Sequence, residues 1–157
     1  MSTTPAIAIR RAETEEAPRI RELVRAAYAK YVGRIGREPA PMTADYRALV
    51  GEGRVWVGLI DASIVGLVVL DEHAESLELD NIAVSPSLQG QGVGRQLLAF
   101  VEQRGRALGK GTVTLYTHEL MTENIALYTR IGYVEVGRRE VDRFKRVFFE
   151  KTLRDTP

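Results

Sequence analysis

Leu77-Glu78-Leu79-Asp80-Asn81-Ile82-Ala83-Val84, followed by Ser85-Pro86 and then by Gln89-Gly90-Gln91-Gly92-Val93-Gly94, is the stretch on which the fold turns. Its first eight residues carry the alternating apolar pattern of a strand, but the phase changes midway. Leu77 and Leu79 are at odd positions, whereas Ile82 and Val84 are at even ones. Successive strand side chains point to opposite faces, so the change predicts one inserted residue, a β-bulge near Asp80-Asn81. A strand buried on both faces is the alternative. After the glycines, Val93, Leu97, Leu98 and Val101 recur at helical spacing through about Leu108. Strand, glycine loop and helix follow one another directly.

That order has a chemical meaning. The N-terminus of a helix presents backbone N–H groups without intrahelical acceptors and a partial positive charge, and glycines let a phosphate approach them closely. Spacing restricts which phosphate ligand fits. A dinucleotide-binding fingerprint fails, because counting from Gly90 or Gly92 the third glycine position holds Arg95 or Leu97. A P-loop fails because no Gly-Lys-Ser/Thr follows.

Working outward, Ile7 and Ile9 suggest a first strand, and Thr14-Glu15-Glu16 a helix start. The helix is predicted over Glu15 to Tyr31, with Ile20, Leu23, Val24 and Ala27 on its buried stripe. Gly33, Gly36, Pro39 and Pro41 then predict a loop carrying Arg34, Arg37 and Glu38, near Tyr28, Tyr31, Met42 and Tyr46. Thr43 to Glu52 is a short helix. Arg54–Ile60 and Ser63–Leu70 form a hairpin about Asp61-Ala62. Beyond the glycine loop's helix, Val113 to Thr117 is a strand, and Thr122 or Asn124 caps a helix running to Ile131 that Gly132 stops. Tyr133–Glu140 and Phe144–Leu153 close the chain as a strand pair. The order β-α-α-β-β-β-α-β-α-β-β predicts one α/β domain over residues 1–157, with a mixed, largely antiparallel sheet of about seven strands and about four helices.

Composition narrows the chemistry. The 22 Lys and Arg against 21 Asp and Glu leave a net charge of +1, which argues against broad capture of nucleic acid or anionic membrane. No cysteine is present, so disulfides, thiolate–metal sites and a cysteine nucleophile are excluded; this suits a reducing cytoplasm. No apolar run approaches the roughly 18 residues of a membrane span, and the first residues lack a signal-peptide pattern. The two histidines, His73 and His118, belong to no metal-ligand spacing such as H-E-x-x-H, so no metal is expected. A serine acyl-enzyme lacks its G-x-S-x-G elbow.

Gln89-Gly90-Gln91-Gly92-Val93-Gly94 resembles the signature of the GNAT family of N-acetyltransferases: Arg or Gln, two residues, Gly, one residue, Gly or Ala. A second segment, Asn124-Ile125-Ala126-Leu127-Tyr128-Thr129-Arg130-Ile131-Gly132-Tyr133, is similar to the family's Asn-x-x-Ala-x-x-Leu/Tyr-Tyr-x-x-x-Gly-Phe/Tyr region, with its Ala nearer the Asn. The resemblance covers the element order of nearly the whole chain. It implies acetyl-CoA as cosubstrate and an amine as acceptor. It places acetyl-CoA where two parallel strands, here Leu77–Val84 and Val113–His118, splay apart. Backbone around Ile82, Ala83 and Val84 would meet the acetyl group and pantetheine. Gln89, Gly90, Gln91, Gly92, Val93, Gly94 and Arg95 would hold the pyrophosphate, and Asn124 the pantetheine or nearby backbone. It casts Tyr128 as the acid that protonates the thiolate and Glu78 as general base, with Asp80, His118 and Glu119 as competitors. Direct transfer in a ternary complex is the expected route, and a homodimer is a possible assembly. A non-catalytic CoA-binding module is the alternative function.

Overall fold

The computed structural model describes residues 5–153. The strands are β1 (Ala8–Arg11), β2 (Val55–Ile60), β3 (Ser63–Glu72), β4 (Ser76–Val84), β5 (Thr112–His118), β6 (Val134–Val141) and β7 (Phe144–Thr152). The helices are α1 (Ala17–Ile35), α2 (Tyr46–Gly51), α3 (Val93–Ala107) and α4 (Thr122–Arg130). Single 3-10 turns occupy Thr14–Glu16, Ala40–Thr43 and Pro86–Leu88. The element order is the predicted one. The seven strands form one sheet in the order β1-β2-β3-β4-β5-β7-β6; β1 with β2, β2 with β3, β5 with β7 and β6 with β7 pair antiparallel, and β4 with β5 parallel.

Two compact units divide the chain: residues 1–70 with 81–100, and 71–80 with 101–157. In the first, Ile20, Leu23 and Val24 of α1 are buried, as are Val57, Leu67 and Val68 of the hairpin and Val93 and Leu97 of α3. Gly66 sits where β3 meets β4. A Cβ there would lie 3.0 Å from both the Ala83 carbonyl oxygen and Leu97 Cδ1, tighter than most Cβ contacts, so glycine lets the two backbones approach without displacing either neighbour. In the second unit, β5 pairs with β7 along its whole length, Thr112↔Thr152 to His118↔Arg146. Leu77, Leu79, Val113, Leu115, Val147 and Phe149 are its buried strand residues.

Two local expectations are corrected. The first helix does not stop at Tyr31 but runs through Gly33 to Ile35, ended by Gly36 at φ 92°; an interior glycine costs only about 1 kcal/mol, and the left-handed C-cap that a helix end favours is available three residues later. Neither Thr122 nor Asn124 caps α4. Met121 holds that position without a side-chain cap bond, and Asn124 turns toward Thr117 Oγ1 and Met121 Sδ, at 3.5 and 3.6 Å. β4 changes phase as its sequence predicts. At its start the Ser76 carbonyl accepts from His73 N–H on the β3 side and the Glu75 carbonyl from Gly111 N–H on the β5 side, whereas at its end the odd-numbered Ser85 bonds β3, so the ladder shifts by one residue within the strand although burial alternates throughout. Leu77, Leu79, Asn81 and Ala83 share the buried phase. The face changes with it: Leu77 and Val84, of opposite parity, lie 3.8 Å from a Cβ placed on Gly105 and on Gly94 of α3, respectively, while Asn81 occupies a core position toward Tyr28 and Tyr46.

Candidate functional site

Asn81 is 8% exposed, and a buried amide must be hydrogen-bonded to be tolerated. The Tyr28 hydroxyl lies 2.7 Å from Asn81 Oδ1 and 3.0 Å from the Ile82 carbonyl oxygen, able to donate its single proton to either. Asn81 Nδ2 donates to the Tyr46 hydroxyl at 3.0 Å, and that hydroxyl donates to the Pro41 carbonyl. One buried network therefore ties β4 to α1, α2 and the Ala40–Thr43 turn. Met42 and Tyr31 are buried as well, and Glu38 is held by Arg25 at 3.1 and 3.3 Å, which keeps its carboxyl below the usual range. The aromatic residues placed near the predicted loop are thus chiefly its foundation.

The edges of β4 can be assigned residue by residue. Ser85 N–H donates to the Val65 carbonyl at 2.8 Å, and the Ala83 carbonyl faces Gly66, so odd residues point toward β3. In this C-terminal half of β4 even residues point to the other edge; at the strand's start the parity is reversed, with the Ser76 carbonyl toward His73. The ladder with β5 covers Ser76↔Thr112 to Leu79↔Leu115, whereas β4 continues to Val84. Beyond the ladder, side chains satisfy the carbonyls on that edge. Tyr28 reaches Ile82 O, and Gln89 Nε2 donates to Val84 O at 3.1 Å. The amides of Ile82 and Val84 point the same way as these carbonyls.

After the Pro86–Leu88 turn, Gly90 and Gly92 adopt φ 80° and 91°, left-handed values that residues with a Cβ rarely accept. A Cβ on Gly90 would meet nothing within 4 Å, and one on Gly94 only Val84 Cγ2 at 3.8 Å. The loop is glycine-rich for conformation and access, not for internal packing. It delivers the chain into α3 at Val93, where the amides of Val93, Gly94 and Arg95 have no carbonyl four residues back within the helix. Gln91 and Arg95 are exposed. Gln91 Nε2 donates to the Ser87 carbonyl at 3.2 Å.

The second unit holds the titratable candidates. Glu78 and Asp80 lie on the half-exposed face of β4. Glu78 Oε1 is 2.9 Å from His73 Nε2, and Asp71 Oδ2 is 3.7 Å from the same nitrogen. The hydrogen bond to Glu78 is the main cause raising the His73 pKa above its ordinary value. The ligand atoms of Asp71, His73 and Glu78 all lie within 4.8 Å of one another, a grouping made by the turn between β3 and β4 and invisible to a spacing rule along the chain. Asp80 accepts from the Tyr116 hydroxyl at 3.3 Å. Burial, then the Asp80 charge, pushes that hydroxyl up to about 12. Glu78 and His73 also line an open groove of about 350 Å³ with Thr114, Phe148, Arg139 and Glu150.

Tyr128 on α4 is 4% exposed and packs its ring 5.9 Å from those of Tyr133 and Phe149. His118 Nδ1 accepts from Leu120 N–H at 3.0 Å, and Glu119 lies 3.9 Å from Lys145; both mark the end of β5. Within its own unit, the structure thus joins Glu78 to His73 and Asp80 to Tyr116, and the first unit joins Gln89 to β4. Sequence reading missed Tyr28 and Asn81 as the pair that fixes β4, although the misplaced polar residue in the strand's phase was the visible signal. It also missed His73 as the partner of Glu78.

A strand edge bonded by side chains, a left-handed glycine loop and an open helix N-terminus follow one another from β4 into α3 of an α/β fold. The chain belongs to the acetyltransferase (GNAT) family, whose profile matches residues 17–133. It is 30% identical over 120 residues to N-acetyltransferase 8F1 of Rattus norvegicus, covering 73% of this chain and 53% of that protein. The chain spans about half the length of the curated relatives it matches. Among solved structures it resembles the PaiA N-acetyltransferase of Thermoplasma acidophilum in complex with coenzyme A, with TM-score 0.80 at 18% identity, covering 94% of this chain and 99% of that one. It also resembles an acetyltransferase from Salmonella typhimurium with acetyl-CoA, with TM-score 0.72 at 19% identity over 97% and 96% of the two chains. These structural likenesses establish the fold. Among the described residues no helix is long and apolar enough to cross a membrane.

Proposed function

We propose that this chain is a single-domain, cytoplasmic N-acetyltransferase that moves acetyl from acetyl-CoA to a primary amine by direct attack. The observation that carries the reading is the glycine loop, with Gly90 and Gly92 both left-handed and opening onto the first turn of α3. In this reading the amides from Gln89 to Arg95 receive the pyrophosphate. The Ile82 and Val84 amides receive the pantetheine and the acetyl carbonyl; an amide aimed at the developing oxyanion contributes about 3 kcal/mol in comparable sites.

The attacking amine must be neutral, yet an alkylammonium with a pKa of about 10.4 is mostly protonated near neutral pH. Glu78 is our base, paired with His73 at 2.9 Å. The carboxylate takes the amine proton directly or through water, and the hydrogen bond to His73 orients it. The amine attacks the thioester carbonyl, the tetrahedral intermediate collapses with loss of the CoA thiolate, and Tyr128 gives that sulfur a proton. Asn124 holds the pantetheine. No residue is acylated.

A thiol-release assay with acetyl-CoA against a panel of small amines, peptides and polyamines tests the reading. We expect at least one amine to release thiol stoichiometrically with N-acetyl product, and Tyr128→Phe to lower kcat with little change in acetyl-CoA affinity. Binding of acetyl-CoA with no transfer to any amine would identify a non-catalytic CoA-binding module instead.

A further inference from the structure

The phosphate loop carries one formal cation of its own, Arg95, on the first turn of α3. The structure brings a second from α1. Lys30 Nζ donates to Gln89 Oε1 at 3.0 Å, across 59 residues of sequence. Gln89 is held in turn, since its Nε2 donates to the Val84 carbonyl at 3.1 Å, which fixes its oxygen toward α1. The ammonium also lies 5.1 Å from the centroid of the Tyr31 ring, and the Arg34 guanidinium is 5.1 Å from the same ring. Among the described residues no carboxylate pairs with Lys30. An ammonium has three donors, and Gln89 uses one.

We propose that Lys30 is a cofactor-binding residue whose ammonium pairs with the pyrophosphate of coenzyme A beside the amides of the glycine loop. The inference rests on the acetyl-CoA reading and adds to it a charged contact from an element outside the signature. Backbone amides supply directional hydrogen bonds but no net charge, whereas a pyrophosphate diester brings two negative charges. A lysine held at the mouth of the loop offsets part of that charge, and because it is exposed its contribution is screened by salt. The side chain of Gln89 acts in this arrangement as a positioning group, bridging the end of β4 to the ammonium.

The test is isothermal titration calorimetry of the full chain with CoA and with dephospho-CoA, at low and high salt, together with NMR titration with pantetheine. Wild type is compared with Lys30→Gln and Lys30→Arg. Lys30→Gln is expected to weaken CoA and dephospho-CoA alike by about tenfold at low salt, the scale of one charge-assisted hydrogen bond. It should also flatten the salt dependence and leave pantetheine binding unchanged, while Lys30→Arg restores most of the affinity. Loss confined to CoA would assign the charge to the 3′-phosphate and overturn the pyrophosphate contact. Unchanged CoA affinity, or equal weakening of pantetheine, would overturn any phosphate role for Lys30. If wild type binds neither CoA nor dephospho-CoA, the acetyl-CoA reading itself falls, and this assignment with it.

Discussion

Asn81 is the residue on which β4 depends. Replacing it with Ala opens a small void and removes two buried hydrogen bonds, those to Tyr28 and Tyr46. The expected loss is about 2 kcal/mol, the scale of disrupting a satisfied buried polar network, read as a lowered denaturant midpoint at unchanged m-value. Tyr28→Phe should cost less, about 1 kcal/mol, and the double variant should fall short of the sum because both remove the same bond. Strict additivity would show that the two side chains act independently. His73 offers a second residue-scale measurement, because the chain has only two histidines and NMR resolves both. Its pKa is expected above the ordinary value of about 6.5, with the hydrogen bond to Glu78 as the principal cause, and Glu78→Gln should lower it. The sign follows from linkage. A raised folded pKa gives stability that is fully present below the ordinary imidazole value and is lost as pH rises through the raised one. A His73 pKa that ignores Glu78→Gln would remove the pair from the proposed base.

At the scale of elements, the loop between β4 and α3 separates conformational need from access. Gly92 at φ 91° is strained by any side chain, so Gly92→Ala should lose about 1 kcal/mol of stability together with CoA affinity. Gly94 lies inside α3 and has room for a Cβ, its one neighbour being Val84 Cγ2 at 3.8 Å. Gly94→Ala should therefore gain up to about 1 kcal/mol from helix propensity while still weakening CoA if the phosphate lies against that turn. Opposite signs in thermal stability for two glycines two residues apart, with weaker CoA binding in both, is the pattern a phosphate cradle predicts. The loop was legible in sequence because its signal is local: glycine spacing, a preceding strand and a following helix. The change of apolar phase in β4 was equally visible, and the ladder shifts by one residue along that strand. The partners that make Asn81 acceptable in the core were not visible, because they lie 53 and 35 residues away. The same distance hid Lys30 from Gln89. Helix ends were misplaced where tertiary burial of residues such as Tyr31 outweighed a single interior glycine.

For the whole molecule, connectivity bears on how the chain melts. The boundaries between its two compact units fall at 70/71, 80/81 and 100/101, inside β3, β4 and α3, so neither unit is an uninterrupted segment and every crossing cuts a regular element. We therefore expect one cooperative unfolding transition, the behaviour of a single domain of this size. A ligand that binds only the folded chain raises its stability by RT ln(1 + [L]/Kd), about 2.7 kcal/mol at a hundredfold excess over Kd. At this chain length that corresponds to a rise in Tm of roughly 5–10 °C. CoA should move the whole transition rather than split it. Gly92→Glu, which fills the loop with bulk and negative charge, should abolish the shift. Glu78→Gln should keep the full shift while losing acetyl transfer, because it alters the proton's destination and leaves the phosphate contacts intact. If Glu78→Gln lost the shift as well, Glu78 would be serving the cofactor and the base would have to be sought at Asp80, His118 or Glu119. If CoA instead split the transition in two, the single-domain reading would fail while the phosphate site stood.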